Sequence, residues 1–206
     1  MKLYGCPNSR SLRALWALEQ ARAAYDYVPV DLFRGEGRSP AFLAINPAGK
    51  VPVLVDGPLT LTESFAIVTY VGERFTGSGL VPAEIHERAE YWRWCSFVLA
   101  ELEQPLWTIA RHRFILPKER RLPQLEPLQV EDFARAAALL ADRLQPRQHV
   151  LDSGFSGADI LAAHTLAWAR SARVPLGHAV LEAYLDRMNA HPALQRARQR
   201  ERAPSH

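Results

Sequence analysis

Cysteine is scarce in this chain: two among 206 residues, Cys6 and Cys95, far apart and in different contexts. That excludes a disulfide framework and fits a reducing compartment. Long apolar runs are missing as well. No stretch approaches the roughly 20 residues that a membrane-spanning helix needs, so no membrane partner is expected. The opening Met1-Lys2-Leu3-Tyr4-Gly5-Cys6-Pro7 has a lysine but no apolar core of the secretory-signal kind, and the expected location is the cytoplasm. The histidines are scattered. His86-Glu87-Arg88-Ala89-Glu90 starts like a zinc-protease helix but lacks the second histidine, so no metal is expected. Charge of one sign is modest too, at +3. Much of it comes from Arg187, Arg196, Arg198, Arg200 and Arg202, a pattern that suits a solvated helix end. Without a basic-aromatic platform or finger spacing, no nucleic-acid partner is expected.

What is present is an ordinary globular composition, 48% hydrophobic and 23% charged, long enough for one large core or two modest ones. Lys2-Leu3-Tyr4 reads as a strand. Pro7-Asn8-Ser9 then opens a helix carrying Leu12, Leu15, Trp16 and Leu18 at helical spacing. Residues 27–31 form a second strand, with Pro29 marking an edge, and the β-α-β order implies parallel pairing. A short helix over 39–45 ends at Asn46-Pro47-Ala48-Gly49. Residues 51–55 and 59–62 flank Asp56-Gly57 as a hairpin, and a helix follows from Ser64 to about Phe75. This β-α-β-α-β-β-α order is thioredoxin-like.

Thr76-Gly77-Ser78-Gly79-Leu80-Val81-Pro82 is the clearest linker. The expected organisation is an α/β thioredoxin-like domain over 1–76, a linker over 77–83 and an all-α domain over 84–206. A helix from about 83 to 115 carries Trp92, Cys95, Leu99, Leu102 and Leu106, and another over 130–144 buries Phe133, Ala137, Leu140 and Leu144. Phe155-Ser156-Gly157-Ala158-Asp159-Ile160 predicts a helix start of unusual clarity. Ser156 is the N-cap, Asp159 reaches back to it, and Phe155 with Ile160 closes over the turn.

Three segments in the first domain can carry chemistry. In Tyr4-Gly5-Cys6-Pro7-Asn8-Ser9-Arg10-Ser11 a strand runs into a helix N-terminus, whose partial positive charge favours a thiolate or another anion. A serine hydroxyl there either caps the helix or donates to a bound thiolate. Lys50-Val51-Pro52 places proline at a strand entrance. If cis, it exposes the Val51 amide and carbonyl to a peptide ligand; if trans, it simply begins the strand. In Thr62-Glu63-Ser64 the serine opens a helix and reads as a cap or as a carboxylate site.

Leu3-Tyr4-Gly5 with Ser9-Arg10-Ser11-Leu12-Arg13, Asn46-Pro47-Ala48-Gly49-Lys50-Val51-Pro52-Val53-Leu54, and Leu61-Thr62-Glu63-Ser64 with Ile67 and Tyr70 resemble the N-terminal signatures of the cytosolic glutathione S-transferase superfamily. The 155–159 segment is similar to that family's core-helix capping box, so the resemblance covers essentially the whole chain. It implies a homodimer that binds glutathione as co-substrate and transfers it to a small hydrophobic electrophile, a detoxification chemistry. It further implies that Val51 pairs with the cysteinyl backbone beside a cis Pro52. Glu63 and Ser64 would hold the γ-glutamyl end, and Lys50 would stand near the glycyl carboxylate.

The activating residue is open among Ser9, Cys6 and Ser11. Ser9, four residues before Arg13, is similar to the serine-type classes, whereas beta-like bacterial enzymes carry a cysteine where this chain has Arg10. Cys6-Pro7-Asn8-Ser9 is similar to cysteine-type omega transferases and monothiol glutaredoxins, which would imply thiol-disulfide exchange at Cys6. Tyr4 is expected inside the first strand. A second-substrate pocket is expected from Pro7, Trp107 and Arg111, with His112 on the same helix. A non-catalytic binding or regulatory module is the remaining alternative, since fold does not dictate function.

Overall fold

A computed structural model describes residues 1–202. The chain divides into two compact units, residues 1–83 together with the segment from Asn189 onward, and residues 84–188. The sequence order alone assigns that last segment to the helical half.

In the first unit, β1 (Lys2–Gly5) leads through a tight turn into α1 (Ser11–Gln20). The helix starts two residues beyond Ser9 because Asn8 takes a left-handed conformation, φ 57°, that no helix continues. Next come β2 (Asp26–Pro29), α2 (Pro40–Ile45), the hairpin β3 (Val53–Asp56) and β4 (Leu59–Thr62), then α3 (Ser64–Arg74). The sheet order is β2-β1-β3-β4, with β1–β2 parallel and the other pairs antiparallel. Pro29 therefore sits on an edge strand, where its missing N–H breaks no ladder. Alternation splits the sheet faces. Tyr4 and Val53 join Phe42 of α2 on one side, which directs the buried Leu3 and Leu54 to the other. The α1 residues Leu15, Trp16 and Leu18 are buried, as are Ile67, Val68 and Val71 of α3.

The second unit begins with α4 (Ile85–Phe97) and continues through a π-helical turn, Val98–Leu102, into α5 (Glu103–Ala110) and a second π turn, Arg111–Ile115. One uninterrupted α-helix is the simpler expectation, but Pro105 has no N–H to give to an upstream carbonyl. The ladder widens just before it. Then α6 (Leu125–Leu144) starts earlier than its apolar spacing predicts, because Pro127 is tolerated in a first turn whose amides need no partner. The remaining helices are α7 (Gly157–Ser171) and α8 (Ala179–Asn189), the latter reaching the unit boundary. The helix start at Ser156 forms as its sequence predicts. The Ser156 hydroxyl accepts the Ala158 amide, and Asp159 accepts the Ser156 amide at 2.9 Å. The last helix, α9 (Pro192–Arg202), packs along α1 in the first unit.

Among the described residues, no helix is long and apolar enough to cross a membrane, and no group of three His, Cys, Asp or Glu side chains is placed to hold a metal. Both cysteines are buried thiols outside any disulfide.

Candidate functional site

Sheet register brings the three segments to one end of the first unit. Val28, Tyr4, Val53 and Thr62 form a single cross-strand row. The chain leaves that row upward from β1 into Gly5 to Ser9. It enters β3 from Val51 and Pro52, and it leaves β4 into Glu63 and Ser64. These are the consequences of one strand reversal, between β1 and β3, and a second between β3 and β4.

The first turn is closed by its own hydroxyls. Ser9 Oγ lies 2.6 Å from the Cys6 carbonyl, to which it donates, and accepts the Ser11 amide at 3.1 Å. Ser11 Oγ is 2.9 Å from Ser9 Oγ and accepts the Cys6 amide at 3.2 Å. Ser11 is fully buried and Ser9 half-buried, so of the two only Ser9 faces the turn's open side. Cys6 is also buried. Desolvation raises its thiol pKa, outweighing a backbone hydrogen bond from Leu32 that works the other way, and Asp31 and Glu201 push it higher still. A thiol held in its neutral form is the opposite of what an attacking cysteine needs. Pro7 is exposed on the same turn.

The second turn carries a cis Val51–Pro52 bond. The ladder begins only at Val53, so Val51 stands just outside it. Asn46, read from sequence as turn chemistry and as part of the 46–54 signature but given no role at the site, organises this approach. Its side-chain amide donates to the Lys50 carbonyl at 2.7 Å, and its carbonyl oxygen accepts the Ala48 amide at 3.1 Å. Lys50 itself is exposed.

At the third, Glu63 is exposed with φ 66°, an unusual conformation for a side-chain-bearing residue. Its neighbour Ser64 is buried. Beneath Ser64 lies Arg13, fully buried on α1, whose Nη1 is 3.4 Å from Ser64 Oγ. The sequence offered one signal for it: a lone cation in the apolar run Leu12 to Leu18. Tyr70 donates to Asp56 at 2.7 Å, which ties α3 back to the hairpin.

Residues 1–73 match the family model described as "Glutathione S-transferase, N-terminal domain". A glutathione S-transferase of Xanthomonas campestris pv. campestris, GST-4.5, is 31% identical over 207 residues, covering 98% of each chain. The chain belongs to the glutathione S-transferase family. A zeta-class glutathione S-transferase of Euphorbia esula is 37% identical over 68% of this chain and 64% of its own. Further plant members of the family, from Arabidopsis, are matched over 53% of their length. These three matches thus span between half and two thirds of the plant transferases' own length. Among solved structures, a sphingomonad glutathione S-transferase complexed with glutathione superposes with a TM-score of 0.85 at 29% identity, over 98% of this chain and all of that one.

In the helical unit of this transferase-family chain, Trp107 is half-buried on α5 and Arg111 is exposed where the second π turn begins. That unit has a cleft of ≈ 220 Å³ of its own, lined in part by Thr108, Ile109, His112 and Gln129. One wall of it is the Arg113–Glu126 ion pair. His112 Nδ1 accepts the Leu122 amide at 3.0 Å.

Proposed function

We propose that this chain is a glutathione transferase: it holds glutathione on the sheet end of its first unit and adds the thiolate to a hydrophobic electrophile. The observation that carries this reading is the single cross-strand row that gathers Ser9, Val51 with cis Pro52, and Ser64 above buried Arg13. Val51 would pair with the cysteinyl backbone of the tripeptide. Glu63 and Ser64 would take the γ-glutamyl end, and Lys50 would stand by the glycyl carboxylate.

Ser9 is the assigned activator. Its hydroxyl can exchange the bond to the Cys6 carbonyl for a stronger, charge-assisted bond to a thiolate. The positive end of α1 favours the same anion. The thiol proton goes to solvent, a sulfur lone pair forms the new C–S bond, and a leaving anion departs or the adduct takes up a proton. Burial of Ser11 and the raised pKa of the buried Cys6 weigh against both as alternatives. From the family resemblance we also infer a homodimer acting in the cytoplasm, with detoxification as its setting.

The test is calorimetric titration with glutathione, followed by conjugation of a nitro-activated aryl chloride. Ser9→Ala should keep glutathione affinity within a few-fold while kcat falls about 10- to 100-fold, the worth of one hydrogen bond to a charged atom. No heat of binding in the wild-type protein sinks the proposal. Unchanged turnover in Ser9→Ala moves the activating role elsewhere.

A further inference from the structure

The end of α5, the second π turn and the start of α6 enclose the ≈ 220 Å³ cleft of the helical unit, and every residue lining it lies between positions 108 and 129. Two side chains close it. Arg121, which follows the Lys118–Arg120 turn, donates from Nε to the Leu116 carbonyl at 2.8 Å and from Nη2 to the Phe114 carbonyl at 3.0 Å. A helix end leaves its last carbonyls without amide partners, and here a guanidinium supplies them. One residue on, the Leu122 amide donates to His112 Nδ1 at 3.0 Å. The connector is thereby pinned across the end of the helix.

Both pinning residues keep a donor in reserve. A ring nitrogen that accepts an amide carries no proton, so the neutral His112 imidazole holds its proton at Nε2. That nitrogen has no partner among the described residues, and Arg121 Nη1 is likewise unspent. Thr108 lies one helical turn before His112, on the same face. Its hydroxyl makes no hydrogen bond among the described residues, not even the bond back to its own helix that threonine commonly forms. None of these three donors is shut off from solvent.

Charge and shape narrow what such a cleft can hold. Arg113 is neutralised by Glu126 through two hydrogen bonds, whereas Arg121 meets only carbonyls among the described residues. Gln129 turns its amide N–H to Asp132, which leaves its carbonyl oxygen as the one side-chain acceptor beside three donors. The rest of the wall is apolar: Ile109, Pro123 and Leu125. A matching ligand has a negative charge spread over acceptor oxygens at one end and an apolar body at the other. An apolar cavity of about 150 Å³ takes a benzene ring, so this cleft has room for one ring and its carboxylate.

We propose that the cleft is a ligand site of the helical unit for a small aromatic carboxylate. The carboxylate sits on the Thr108 hydroxyl, His112 Nε2 and Arg121 Nη1, and the ring lies against Ile109, Pro123 and Leu125. Neither Trp107 nor Arg111, the residues expected at a second-substrate pocket, lines this cleft. Binding here needs no glutathione.

The test titrates benzoate into the ¹⁵N-labelled full chain without glutathione. The Leu122 and Ile109 amide resonances should shift saturably, with a Kd on the order of 1 mM, ordinary for a ligand of this size. Benzamide, which lacks the charge, and acetate, which lacks the ring, should each bind about tenfold more weakly or worse. Thr108→Val keeps the side chain's shape, removes one donor and should weaken benzoate about three- to tenfold. Gln129→Trp lays an indole across the cleft and should weaken it about tenfold or more. Both positions are half-exposed on helices, so both variants should fold. Three results would each overturn the proposal: no saturable shift up to about 50 mM benzoate, benzamide or acetate binding as tightly as benzoate, or undiminished benzoate affinity in Gln129→Trp.

Discussion

Arg13 and Ser64, separated by 51 positions in sequence, meet at 3.4 Å with the guanidinium beneath the hydroxyl. A guanidinium has only donors to offer, so it occupies a lone pair of Ser64 Oγ and leaves the hydroxyl proton to point away from it. A buried cation under a helix N-terminus also makes that spot favourable to an anion. Ser64→Ala should therefore raise the KM for glutathione about tenfold, from loss of one charge-assisted hydrogen bond, with kcat little changed. Steady-state kinetics with glutathione as the varied substrate checks this; an unaltered KM would remove Ser64 from the binding site.

Gly5 is the narrowest point of the turn. A methyl group there meets Tyr27 Cε2 at 2.7 Å and Ser11 Cβ at 2.9 Å. Ser11 is fully buried on α1, and its Cβ is fixed to the helix backbone, so it cannot retreat cheaply. Gly5→Ala should cost about 1–3 kcal/mol of stability, measured by urea unfolding. Gly77, with nothing within 4 Å of its Cβ direction, is the control, and Gly77→Ala should fall within about 0.5 kcal/mol of wild type.

Asp159 carries the helical unit's most connected carboxylate. Fully buried, it accepts the Ser156 amide, the Val150 amide and the Tyr184 hydroxyl, each at 2.9 Å. Alanine in its place leaves three buried donors without an acceptor. The expected loss is about 3 kcal/mol or more, visible as a lowered midpoint in thermal unfolding. Ser156→Ala, which removes only a cap, should cost about 1 kcal/mol.

Acid should weaken the α5–α6 region by a small, predictable amount. The Arg113 side chain grips Glu126 through two hydrogen bonds, at 2.9 and 2.6 Å, and holds its carboxyl below the ordinary glutamate value. A depressed carboxyl contributes stability above its unfolded pKa and loses that contribution as pH falls through its folded one. The pair is partly exposed, so the contribution stays under about 1 kcal/mol. Glu126→Gln should lower stability at pH 7 and converge with wild type below the usual carboxylate range, as followed by urea midpoints against pH.

Local chemistry was legible from sequence because it acts over a few residues. The 59–62 strand, the Ser39-capped helix α2 and the Ser156–Asp159 box form where turn residues, β-branched runs and cap spacings predict them. The gathering of Ser9, Val51 and Ser64 at one sheet end was also readable, since strand order and connection length leave little choice of direction. Other features were less so. Pro105 signals a defect in its helix without saying that two π turns will absorb the register.

Tertiary structure alone decided which side chains meet. Nothing near Arg13 announces Ser64, because their contact is made by two elements that find each other only after the sheet and its helices have packed. Burial is equally invisible in sequence: Cys6, Ser9 and Ser11 share one turn and similar polarity, yet only Ser9 is left half-exposed. Sequence determined the elements through backbone preferences and short-range hydrogen bonds. Which groups lose water, and with whom, followed from the close packing of distant segments.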